Sequence, residues 1–279
     1  MGQLLRVSLV FAVLTFMVCD SAGASQLIDR KASDVHLTVS AGGVAALSYT
    51  AHGARKHVIA WGARDAIAPT QSRAQVKLRL DYSGGWGTFG RAVWQDRNAC
   101  RPYRGPKLAW LLAACTAPDG SFWAVQRWQR LVPVGGAVGT WELHLSHWTG
   151  TRASLEIRVD ARPGADVLFG QYTYRGRPVY GFHATRRGAP LDTFARNIYL
   201  DTYDSAYGSG WHRETGFLSH NPTGIFCYAL GASHGKGTLY RATALGPGVT
   251  PIVSWVGRAG PDAGVELTGM LAEARRLCG

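Results

Sequence analysis

Ser154-Leu155-Glu156-Ile157-Arg158-Val159-Asp160 is the stretch that decides the fold class. Leu155, Ile157 and Val159 oppose Glu156, Arg158 and Asp160, the period-two alternation of a strand with one buried face. Val76, Leu78 and Leu80 repeat it against Lys77, Arg79 and Asp81. Outward from these two, strands are expected at 36–39, 44–49, 57–61, 121–130 and 140–148. In the second half they are expected at 167–174, 179–185, 197–203, 224–230, 238–243 and 251–256. The chain carries 35 Gly, 10 Trp and 11 Tyr with only 17% charged residues. That composition suits strands and turns rather than helices.

The best break in the pattern is Ala161-Arg162-Pro163-Gly164-Ala165-Asp166, because Pro-Gly punctuates it and alternation restarts at Val167. The expected architecture is all-β: two tandem antiparallel β-sandwich-like units, 25–162 and 163–279, closed by a short C-terminal helix. A single larger sandwich built from both halves is the alternative. The helix is read from Leu267, Met270, Leu271, Ala274, Leu277 and Cys278, which recur at helical spacing, with Thr268 as N-cap. The halves also echo each other. Leu80-Asp81 followed by Gly84-Gly85-Trp86 resembles Leu200-Asp201 followed by Gly208-Ser209-Gly210-Trp211. Pro118 to Ala124 similarly resembles Pro222 to Ala229. An old duplication would produce the echo, and so would the general likeness of turn-strand patterns rich in Gly, Tyr and Trp.

Residues 1–24 read as a secretory signal cleaved after Ala24. Arg6 precedes an apolar run from Val7 through Val18, and Ala22-Gly23-Ala24 supplies the small residues of a cleavage site. The run is too short to span a bilayer, and no later stretch is apolar enough, so no transmembrane segment is expected in the mature chain. Residues 25–34 read as a polar leader to the first strand. Export removes Cys19 and places Cys100, Cys115, Cys227 and Cys278 in an oxidising compartment, where two disulfides are expected. Of three connectivities, Cys100 with Cys115 and Cys227 with Cys278 is favoured, since each then closes within one half.

The net charge of +12 favours anionic partners, although the 25 Arg and 5 Lys are spread without a dense stripe. With export, that points to an extracellular glycan or anionic cell-wall polymer rather than intracellular nucleic acid. No nucleophile elbow, phosphate loop, HExxH or dinucleotide fingerprint occurs. No C-x-x-C pair occurs either, and neither a metal nor a cofactor is expected.

Chemistry concentrates at 201–228. If 211–215 is extended, His212 and Glu214 share a face, and with Asp201 and His220 they are the candidates for acid-base work. The same segment can equally be a capped turn, with Asp201, Asp204 and Ser205 bonding backbone amides. His144 and His147 fall on opposite faces of a strand and read as structural. For binding, Trp86, Asp201, Tyr207, Trp211 and Arg213 are favoured, because Trp86 and Trp211 each follow a Gly-rich turn and flat aromatic faces beside polar groups suit sugar rings. Three functions follow in order: a non-catalytic secreted glycan or polymer binder, a secreted polysaccharide hydrolase using the 201–220 cluster, and an extracellular scaffold without a small ligand.

Overall fold

The computed structural model describes residues 25–67, 75–131, 136, 139–162, 165–178, 198–214, 217–220, 225–229, 239–258 and 276. Over these the protein is all-β, in four antiparallel sheets. The strands are β1 (Gln26–Arg30), β2 (Ser33–Val39), β3 (Ala45–Ala51), β4 (Ala54–Trp61), β5 (Arg79–Asp81), β6 (Leu111–Thr116), β7 (Phe122–Leu131), β8 (Gly139–Trp148) and β9 (Ser154–Arg162). They continue as β10 (Ala165–Tyr174), β11 (Arg177–Pro178), β12 (Ile198–Ser205), β13 (Gly208–Arg213), β14 (Phe217–His220), β15 (Ile225–Ala229), β16 (Leu239–Ala244) and β17 (Val253–Gly257).

The first sandwich faces the sheet β1-β8-β7-β6 with the sheet β2-β3-β4-β5. Its core follows the alternation: Ala45, Leu47, Tyr49 and Ala51 of β3 and Val58 and Ala60 of β4 meet Trp123 and Val125 of β7 and Leu143 and Leu145 of β8. In the second sandwich β10 pairs with β9, β11 and β15, with β14 beyond β15, and this sheet faces β13-β12-β16-β17. Ile157, Leu168, Tyr172 and Phe226 there pack on Ile198, Leu200, Tyr240, Ala242 and Val253. On either side of the Pro163-Gly164 break, β9 and β10 pair from Arg162 with Ala165 to Ser154 with Thr173. The second sandwich thus takes its first strand from β9, because strands adjacent in sequence pair most readily as a hairpin.

Two local expectations are corrected. Residues 25–34 do not form a leader: β1 pairs with β8 and buries Ile28, while Asp29 is held by Lys56 and Tyr49. Of the strand expected at 76–80, only the Arg79 end pairs, with β4; Leu78 still reaches the core, while the Gln75 side chain ties down the backbone of Ile67 and Val76. The expected C-terminal helix lies outside the described residues apart from Arg276, which is helical. The signal segment and the strand expected at 179–185 also lie outside them. Cys100 and Cys115 form a disulfide. Cys227 is disulfide-bonded too, and its expected partner Cys278 lies outside the described residues.

The segment between β16 and β17 welds the sandwiches together. Every residue from Leu245 to Ile252 is buried, and Val249 enters the core of the first sandwich. The Gly248 carbonyl accepts from the Ser25 amide at 2.7 Å and the Val249 carbonyl from the His147 amide at 2.7 Å. The Gln126 amide donates to the Ile252 carbonyl (3.0 Å) and accepts from the Ile252 amide (2.9 Å). Gly248 stands at φ +54°, and a Cβ there would lie 2.9 Å from the Gln75 side chain, so only glycine fits without strain.

Candidate functional site

The 201–214 segment is the β12–β13 hairpin, and strand alternation splits its polar residues between two faces. Asp201 points toward the first sandwich, where it is wholly buried. Its Oδ1 accepts from Arg213 Nε at 2.5 Å and its Oδ2 from Arg241 Nε and Nη2 at 3.0 and 2.7 Å. The Arg213 guanidinium lies over the rings of Tyr199 (4.8 Å) and Trp128 (5.5 Å), with its side chain only 3% exposed. Thr202, one residue on, points the other way and donates to Glu214 Oε1 at 2.5 Å. His212 pairs with Thr202 across the hairpin and reaches the Ser209 carbonyl at 3.0 Å.

Asp201 and Glu214 therefore sit on opposite faces of one sheet. His220 belongs to β14 in the facing sheet, in register with Phe226. Glycoside hydrolysis requires two carboxyls flanking one bond across an open cleft. Here Asp201 has both oxygens committed to guanidinium groups and Glu214 is fully buried. The segment's turn chemistry matches the capping reading: Asp204 Oδ1 accepts from the Gly210 amide (2.7 Å) and Ser205 Oγ from the Tyr207 amide (3.3 Å). Among the described residues no three His, Cys, Asp or Glu side chains are grouped to hold a metal ion.

Trp86 has a different setting. Asp81 ends β5 and ties the following turn: Oδ1 accepts from the amide and hydroxyl of Ser83 (2.8 and 2.5 Å), and Oδ2 from the Thr88 amide (2.8 Å). Ser83 Oγ accepts in turn from the Gly87 amide. The Ser83 hydroxyl is the largest of the influences that hold the Asp81 carboxyl below its ordinary pKa. Gly85 stands at φ +111°, where a Cβ would strike the Arg91 carbonyl oxygen at 2.5 Å. This braced turn lifts Trp86 to 62% exposure, and Tyr82 at 56% and Phe89 at 37% lie on the same 82–89 segment. Tyr82 is anchored by its hydroxyl to the Ile28 carbonyl (3.0 Å), and Phe89 packs edge-on against Trp61 at 5.2 Å. Arg79 is the cross-strand partner of Trp61.

A second aromatic group lies at the rim of the hairpin. Tyr203 and Trp211 are cross-strand partners with rings edge-on at 5.2 Å. The Arg241 guanidinium, fixed by Asp201, rests on the Trp211 ring at 4.3 Å. Arg241 was not singled out from the sequence; strand register sets it opposite Asp201, and its guanidinium also lies over the Trp110 ring at 5.8 Å.

A buried polar seam was also unforeseen. Glu142 on β8 accepts from Arg130 Nε (3.0 Å), Arg30 (3.3 Å) and His144 Nε2 (3.1 Å), and Arg130 continues to the Tyr199 hydroxyl (3.1 Å). Burial alone would raise the Glu142 carboxyl, but hydrogen bonds from His144 and Arg130, with the Arg130 charge, hold it down at about 2. The seam runs from Ser25 through His144 and Glu142 to Arg130 and Tyr199, spanning the junction of the sandwiches. No family model, curated protein or solved structure matches this chain.

Proposed function

We propose that this protein is an exported, non-catalytic module that binds an extracellular glycan through the aromatic turn around Trp86. The observation that carries this reading is an exposed Trp86, with exposed Tyr82 and Phe89 in the same segment, on a turn whose backbone Asp81 and Ser83 hold in place. A large aromatic surface held out on a braced turn loses little conformational entropy when a sugar ring stacks on it. Asp201, Arg213 and Glu214 are by contrast engaged by partners within the protein. In this reading Asp201 and Arg213 hold the hairpin, while Trp211, Tyr207 and Tyr203 offer a second, weaker contact at its rim. Export is supported by the leader pattern of 1–24 and by the disulfide-bonded state of Cys100, Cys115 and Cys227, since disulfides persist in oxidising compartments.

The test is retention on insoluble chitin and cellulose and on an immobilised acidic polysaccharide. Wild type is expected to bind at least one, and Trp86→Ala to lose about tenfold in affinity, the loss of one stacking residue at the low end of an interface hot spot. Retention of Trp86→Ala equal to wild type on every bound glycan would remove the reading. Binding confined to the acidic polymer and abolished by salt would instead assign the partner to charge.

A further inference from the structure

Ser25 is wholly buried at the junction of the two sandwiches. Its amide donates to the Gly248 carbonyl of the welding segment at 2.7 Å, and its own carbonyl lies 2.7 Å from His144 Nδ1, with its hydroxyl 3.2 Å from the same nitrogen. The other ring nitrogen of His144 meets Glu142, itself bound by Arg130 and Arg30. All the polar groups of this one residue are engaged, with partners from β8 of the first sandwich and the β16–β17 segment of the second.

Ser25 is also the residue that follows the small-residue cleavage pattern Ala22-Gly23-Ala24. We infer that removal of the leader leaves Ser25 as a buried N-terminus whose α-amine pins the second sandwich to the first. This rests on the export reading above. The step is hydrolysis of the Ala24–Ser25 amide by an export-pathway endopeptidase. Water adds across the bond, Ala24 departs as a carboxylate and Ser25 gains the protons of an ammonium. The new group keeps its hydrogen bond to Gly248 and acquires two further donors beside the welding segment. The mature terminus is thereby a structural element rather than a free end, unlike most chain termini.

Periodate tests this directly, because it cleaves only a serine whose amine is free and so reads both processing and burial. Protein secreted from an exporting host is analysed by intact mass, then treated with periodate and an aldehyde-reactive hydroxylamine, once native and once unfolded in guanidinium. The expected result is a mass beginning at Ser25, labelling of the unfolded chain, and native labelling about a hundredfold slower, as for a site that reacts only through local opening. A mass beginning at Ser25 with equal native and unfolded labelling would overturn the buried pin and leave the export reading intact. A secreted chain that begins elsewhere, or that retains residues 1–24, would overturn both.

Discussion

Glu142 shows at the scale of one residue how this protein uses charge. An isolated buried carboxylate would be strongly unfavourable, yet with three donors around it the ionised form is the stable one. Its folded pKa of about 2 lies below the ordinary 4.5, so its stabilisation is complete above pH 5 and is lost as pH falls from 4.5 toward 2. Glu142→Gln is expected to cost about 2 kcal/mol at pH 7 by replacing the buried carboxylate that accepts from Arg130, Arg30 and His144 with a neutral amide. It should also flatten the pH dependence of denaturant unfolding between pH 5 and 2. An unchanged acid limb in the variant would assign that dependence to other carboxylates. Glu142 also marks where residue-level reading stops. The strand at 140–148 was legible, and its Leu143 and Leu145 fill the first core. The pattern could not say that the opposite face, with Glu142, His144 and Ser146, meets a second sandwich instead of water.

Among the elements, strands with clear alternation were legible, and those whose pairing depends on distant chain were not. The expected strands at 36–39, 44–49, 57–61, 121–130 and 140–148 each correspond to an observed strand. β1 was missed because its polar residues are satisfied by Lys56 and Tyr49 from β4 and β3. In the hairpin β12–β13, β12 answers to the expected strand at 197–203, whereas its return was read as extended only conditionally; Gly208 and Gly210 at φ +117° and +87° build the tight turn back. The echo between Leu80-Asp81 and Leu200-Asp201 joins residues in unlike roles, since Asp81 braces a turn and Asp201 anchors two arginines mid-strand. The welding segment gives a sharper test at this scale. Gly248→Ala should cost about 2 kcal/mol, combining the left-handed backbone with the approach to Gln75, and lower the melting temperature by several degrees. A wild-type melting temperature in this variant would show that the segment relaxes freely.

At the scale of the whole molecule, the two sandwiches are joined by apolar packing as well as polar contacts. Val249 is shared with the first core, and Trp128 packs on Tyr199, Leu245 and Ile252. The described interface leaves no separate surface for either unit to unfold alone, so calorimetry is expected to show one transition with equal calorimetric and van't Hoff enthalpies. Two resolved transitions would mean the weld contributes little. Rigidity also bears on function, because it fixes the Trp86 turn on a frame that does not need to rearrange when a ligand arrives. The all-β class and the prominence of Trp86 were both legible in the sequence. The dispersal of Asp201, Glu214 and His220 was not, since it follows from which face each strand position occupies. The most direct measurement of the central claim is titration of a glycan retained in the binding screen into wild type, Trp86→Ala and Trp211→Ala. The account predicts about a tenfold loss for Trp86→Ala and a smaller one for Trp211→Ala, with unchanged melting temperatures; full affinity in Trp86→Ala would contradict it.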